Sequence, residues 1–116
     1  MGVKVEVLQS SNTNNKPKKD DFVGIHMLIR LMDGVEVLNT RQESSAGGGE
    51  PMRFCLGRGS VIKGLDESVP KLQLGDKAKL TISPDLAYGA QGFFPVVPPN
   101  ATLIIEVELI SINDPP

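Results

Sequence analysis

Apolar and polar residues alternate along most of the chain, the period-two signature of strands that bury one face. Val3, Val5 and Val7 alternate with Lys4 and Glu6. From Phe22 to Met32, Val23, Ile25, Met27, Ile29 and Leu31 share one face, while His26 and Arg30 lie on the other. Asp33-Gly34 is a hairpin signal, because glycine accepts positive φ, and Val35 to Leu38 continues as a short strand. Met52, Phe54 and Leu56 alternate next; Ala78, Leu80 and Ile82 follow, with Lys77, Lys79 and Thr81 toward water. The last run, Thr102 to Ile112, sets Leu103, Ile105, Val107 and Leu109 against Ile104, Glu106 and Glu108. Between Gly57 and Pro70 the period changes to a helical one. There Val61, Ile62, Leu65 and Val69 form a stripe, Ser60 is placed to cap it, and Asp66 and Glu67 point outward. The pattern predicts an α+β fold, an antiparallel sheet of about five strands with one short helix on its apolar face.

The connections differ in kind. SSNTNNKPKKDD reads as a polar surface loop, and RQESSAGGGEP as an exposed, flexible one. Ser83 to Leu103, SPDLAYGAQGFFPVVPPNATL, holds four prolines with Tyr88, Phe93 and Phe94. Proline removes backbone donors and fixes φ, so this stretch is neither a central strand nor an ordinary helix. Connections this long are uncommon and usually functional. Its aromatics need something to cover, and a groove beside the sheet is the natural candidate.

Composition narrows the function. The 116 residues fit one domain spanning 1–116, or a domain cut from a longer protein, and 40% hydrophobic with 22% charged residues is a soluble balance. A net charge of −2 argues against nucleic acid as a principal partner. The chain has neither an 18-residue apolar run nor a secretory pattern, and its one cysteine, Cys55, suits a reducing compartment; the expected location is cytoplasmic. Catalytic constellations are missing. His26 is the only histidine, so a triad or a histidine metal site would rest on one residue, and a structural role fits it better. Gly57-Arg58-Gly59 is too short for a dinucleotide fingerprint, and Gly47 to Gly49 lacks the Lys-Ser/Thr of a phosphate loop. What remains is an apolar groove rimmed by aromatics, suited to binding or to catalysis without proton transfer.

The run VIKGLDESVPKLQLGDKAKLTISPDLAYGAQGFFPVVPPNATLIIEVELI resembles the second half of the FKBP-type peptidyl-prolyl cis-trans isomerases, the immunophilins that bind tacrolimus and rapamycin. VGIH, DGVEV and PMRFCLG fall upstream in the family's order, so the resemblance covers about Val3 to Ile112. It implies a half-barrel wrapped on a short helix, with the pocket between helix, sheet and the proline-rich loop. It also implies a catalytic set of Phe54, Ile62, Leu65 and Tyr88, with the Ile62 amide and the Tyr88 hydroxyl donating to ligand carbonyls. Neither cofactor nor metal is called for.

Phe54, Val61, Ile62 and Tyr88 keep the family pattern, with Phe93, Val96 and Val97 on the loop. Met27, Val37, Leu38, Leu65 and Ile105 depart from it. They stand where the family usually has a tyrosine, a phenylalanine–aspartate pair, a tryptophan floor and another phenylalanine; Met52 likewise replaces a common phenylalanine. A lost charged acceptor at Leu38 and missing aromatic contacts together imply macrolide binding weaker by about two decades or more. The resemblance therefore implies a weakened isomerase acting on proline-containing peptides or proteins. Its alternative is an inactive domain that serves as a chaperone or interaction module and meets a protein partner through the 84–100 loop.

Overall fold

The computed structural model describes residues 2–39, 51–93 and 96–113, with the Asn39 side chain left aside. The expected glycine loop at 46–49, Phe94 and Pro95 lie outside these residues. Among the described residues six strands form: β1 (Val3–Gln9), β2 (Phe22–Leu31), β3 (Glu36–Asn39), β4 (Met52–Cys55), β5 (Lys77–Ile82) and β6 (Leu103–Ile112). The single α-helix among the described residues, α1, is Lys63–Ser68. All pairings are antiparallel, in the order β1-β5-β6-β2-β3, and β4 also pairs with β2. The sheet is nonetheless five strands wide. β4 takes the first part of one edge of β2 (Phe22 to Ile25) and β3 takes the later part (Leu28 to Arg30).

The alternation places the core. Val23, Ile25, Met27 and Ile29 of β2, Ala78, Leu80 and Ile82 of β5, and Leu103, Ile105, Val107 and Leu109 of β6 are buried on one face against Leu65 and Val69. The opposite face carries cross-strand charge pairs, Lys77 with Glu108 and Lys79 with both Glu106 and Glu6. Val7 departs from its expected burial. It sits on edge strand β1, beside a register shift, and is half exposed while Val3 and Val5 pack on the core. Gly64 faces the sheet so closely that a Cβ would stand 2.5 Å from Ile82 Cγ2, so the small residue sets how deeply α1 seats.

The helix is shorter than its apolar stripe. Ile62 is extended at φ −58° and ψ 149°, so α1 begins at Lys63, and Val61 and Ile62 lie in the approach to it. Ser60 is too early to cap; the cap position makes no side-chain bond. Pro70 falls inside a 3₁₀ turn, Val69–Lys71, near whose start proline's missing donor is tolerated.

The polar loop after β1 is fastened rather than slack. Ser11 donates its N–H (2.8 Å) and hydroxyl (3.0 Å) to Asp76 Oδ1, and Gln73 N–H donates to Asp76 Oδ2 at 2.9 Å. Thr13 donates to the Leu74 carbonyl and Leu74 N–H to that of Asn15. Burial pushes the Asp76 carboxyl up, but the Gln73 and Ser11 donors, helped by Lys16, hold it below the usual carboxylate range. Asp21 is held low as well, chiefly by the Lys18 N–H and then by Asn113.

Candidate functional site

Three elements converge on the helix side of the sheet. From the sheet come Met27, Ile105, Met52 and Phe54, all on inward positions: Ile29 pairs with Ile105, Ile25 with Met52 and Val23 with Phe54. From β3 come Val37 and Leu38, two consecutive residues that both pack on the core. Strict alternation forbids that. The cause is a bulge: Ile29 pairs with Leu38 and Arg30 with Glu36, leaving Val37 as one extra residue on β3. From the approach to α1 come Val61 and Ile62, with Leu65 on the helix itself.

The proline-rich loop closes the third side. It leaves β5 through a 3₁₀ turn, Pro84–Leu86. Two backbone bonds then fold it on itself, from Gly89 N–H to the Pro84 carbonyl (2.8 Å) and from Asn100 N–H to the Gly89 carbonyl (2.9 Å). Phe93 and Val97 exchange both backbone bonds at 2.8 Å. Gly92 makes this tight return possible: at φ +69°, a Cβ there would stand 2.4 Å from the Val97 carbonyl oxygen. Val97 anchors the loop in the core at 2% exposure, whereas Phe93 (55%) and Val96 (42%) stand in water. Tyr88 is half-buried and packs on the core; its ring stacks on Phe93 at 5.2 Å between centroids and 23° between planes.

The thirteen residues singled out from the sequence thus fall into three layers. Leu65 (2%), Ile105 (0%), Met27, Phe54 and Val97 are a covered floor. Val37, Leu38, Met52, Val61, Ile62 and Tyr88 are a half-buried wall. Phe93 and Val96 are an exposed rim. The floor, aliphatic apart from Met27 and Phe54, leaves little open surface of its own.

The polar chemistry is sparse. Ile62 N–H precedes the first turn of α1, where helix geometry supplies no internal acceptor. Tyr88 brings the chain's single phenol. Asp66, expected to point outward, is half-buried and turns back: its Oδ1 accepts the Gly57 N–H and its Oδ2 the Gly59 N–H, each at 3.0 Å. Sequence reasoning missed this, and an acid four residues after the extended Ile62, behind a Gly-x-Gly pair, was the available signal. His26 lies on the outer face, beside a groove of about 200 Å³ lined also by Leu8, Leu28, Lys77, Glu106 and Glu108. Among the described residues no cluster of three or more histidine, cysteine, aspartate or glutamate side chains could hold a metal ion, and no helix is long and apolar enough to cross a membrane.

A sheet packed on a short helix, with apolar side chains gathered from the strands, the approach to the helix and the proline-rich loop, is an architecture suited to binding apolar groups. The family profile described as FKBP-type peptidyl-prolyl cis-trans isomerase matches residues 13–110, and the chain belongs to that family. It is 51% identical over 114 residues to FK506-binding protein 1A of Aspergillus fumigatus, covering 98% of this chain and 97% of that protein. It is 49% identical to FK506-binding protein 1 of Rhizopus delemar (97% and 100% covered) and 44% identical to a peptidyl-prolyl cis-trans isomerase of Schizosaccharomyces pombe (98% and 97%).

Proposed function

We propose that this protein is a prolyl isomerase for Xaa–Pro bonds preceded by apolar residues, turning over more slowly than family members with aromatic pocket walls. The observation that supports this reading is the Ile62 N–H at the start of α1, with Ile62 and Tyr88 both packed, half-buried, on the same apolar core. An amide bond resists rotation by about 18–20 kcal/mol because of its resonance, and an Xaa–Pro bond flips unaided in tens of seconds or longer. At the twisted midpoint resonance is lost and the carbonyl becomes less polar. A site that strips water from the bond and fits the twisted form best lowers the barrier, with no proton moved. Ile62 N–H and Tyr88 O–H hold the flanking carbonyls, while the half-buried wall receives the proline ring above the covered floor of Phe54, Leu65 and Ile105.

The closed aliphatic floor supports slower turnover, and Leu38, an apolar wall residue, supports weak macrolide binding. The test is exchange NMR on a Leu-Pro peptide. Acceleration over the uncatalysed rate, reduced by Tyr88→Phe and increased by Leu65→Trp, is the expected result; no acceleration at high protein concentration overturns the reading. The exposed Phe93 and Val96 favour a second reading, an interaction module that meets a protein partner through its rim. On that reading Phe93→Ala weakens partner capture and Leu65→Trp leaves it unchanged.

A further inference from the structure

The stretch between β4 and α1 carries both Val61 and Ile62, yet it is neither helix nor strand. Something must fix it if a single backbone N–H is to be aimed at a substrate. The fixing group is one side chain. Asp66 N–H donates to the Ile62 carbonyl at 3.1 Å, alongside Leu65 N–H at 3.0 Å. The carboxylate of the same residue reaches back over the loop and takes the N–H groups of Gly57 and Gly59, one on each oxygen. Both glycines have positive φ, +77° and +71°, which curls their amides onto the carboxylate as a small anion nest. Between them Arg58 turns the other way and pairs with Asp20 at 2.6 Å, tying the loop to the start of β2. Asp66 therefore grips the chain on both sides of Ile62, and Gly57 to Ile62 is closed into a ring through one residue.

We propose that Asp66 is a positioning residue of the isomerase site: its carboxylate, clamping Gly57 and Gly59, sets the direction of the Ile62 N–H. This rests on the isomerase reading above. Asp66 itself touches no substrate; it decides where the donor points. Small misplacements of a positioned group lower rates steeply, so Asp66→Ala is expected to lower kcat/KM by about tenfold. Asp66→Asn keeps one acceptor oxygen and loses the other, so a smaller loss is expected, with the Gly57 or Gly59 amide newly exposed to hydrogen exchange.

The decisive variant is Ile62→Pro. The φ of Ile62, −58°, already suits proline, so the substitution deletes the N–H with little change to the backbone. Asp66→Ala and Ile62→Pro are combined in a double-mutant cycle, read as isomerisation of the Leu-Pro peptide and as amide exchange at Gly57 and Gly59. If Asp66 acts through the Ile62 amide, Asp66→Ala lowers turnover in the native background and not in the Ile62→Pro background. An equal loss in both backgrounds, or no loss in the native one, overturns the proposal while leaving the isomerase reading intact. Native protein that neither binds nor turns over the peptide overturns both.

Discussion

Two long connections flank the sheet, and they are held in opposite ways. The loop over residues 10–21 is almost wholly polar, and its side chains are spent on fastening it: Ser11 and Thr13 reach the turn before β5, while Asp21 gathers the Lys18 N–H and the Asn113 amide. Among its described residues, the loop over residues 83–102 is fastened mostly by backbone bonds and by one buried apolar anchor, Val97. Two of its aromatic side chains, Tyr88 and Phe93, are stacked on each other, Phe93 exposed and Tyr88 half-buried. Polarity therefore misleads if read as a guide to looseness. The polar loop is tied down by its side chains, whereas the apolar one leaves Phe93 and Val96 exposed.

Perturbing each loop in turn sharpens that contrast. The largest effect on stability is expected from Asp76→Ala, which strands the Ser11 and Gln73 donors and costs about 3 kcal/mol in chemical denaturation. Turnover per folded molecule should stay unchanged, and a drop would show that the two loops are coupled. Next comes Gly92→Ala, where the added methyl meets the Val97 carbonyl; overpacking there costs about 2 kcal/mol. Here turnover should fall with stability, because the Phe93–Val97 return shapes the rim.

Acid is a gentler probe of the polar loop. Asp76 and Asp21 both have carboxyls held below the ordinary 3.8, so the folded state favours their ionised forms. Their contribution is fully present above 3.8 and is lost as pH falls through the lowered folded values. Denaturation midpoints measured from pH 6 downward should fall in that range, and less steeply in Asp76→Asn. The smallest effect on stability is expected from Phe93→Ala. It removes an exposed aromatic pair and costs under about 1 kcal/mol in stability, yet should weaken Leu-Pro peptide binding several-fold in an NMR titration.

Much of the fold was legible from period alone. The inward sets on β2, β5 and β6 are those that alternation selects, because a buried sheet face tolerates only apolar side chains at every second position. Residues off that rhythm were harder to read. Ser60 looks like a cap, but the extended Ile62 delays the helix until Lys63. Asp66 sits where a solvated residue belongs on a helical wheel, yet the loop before the helix returns over it. Resemblance drew attention to Val37 and Leu38 together; alternation alone would put one of them in water. Tertiary hydrogen bonds and bulges leave no periodic trace.

The bulge on β3 has a further meaning for how such a site changes. Because one extra residue turns two neighbouring side chains inward, the wall at this edge is written in two adjacent positions and not in alternate ones. Of the two, Leu38 also pairs with Ile29 in the ladder, while Val37 is the residue the ladder skips. Removing Val37 from the chain would straighten the strand and leave a single inward position there. The bulge is thus a local widening of the alphabet at this edge: two neighbouring side chains can vary together on the inner face while the alternation of β2 beside them stays as it is.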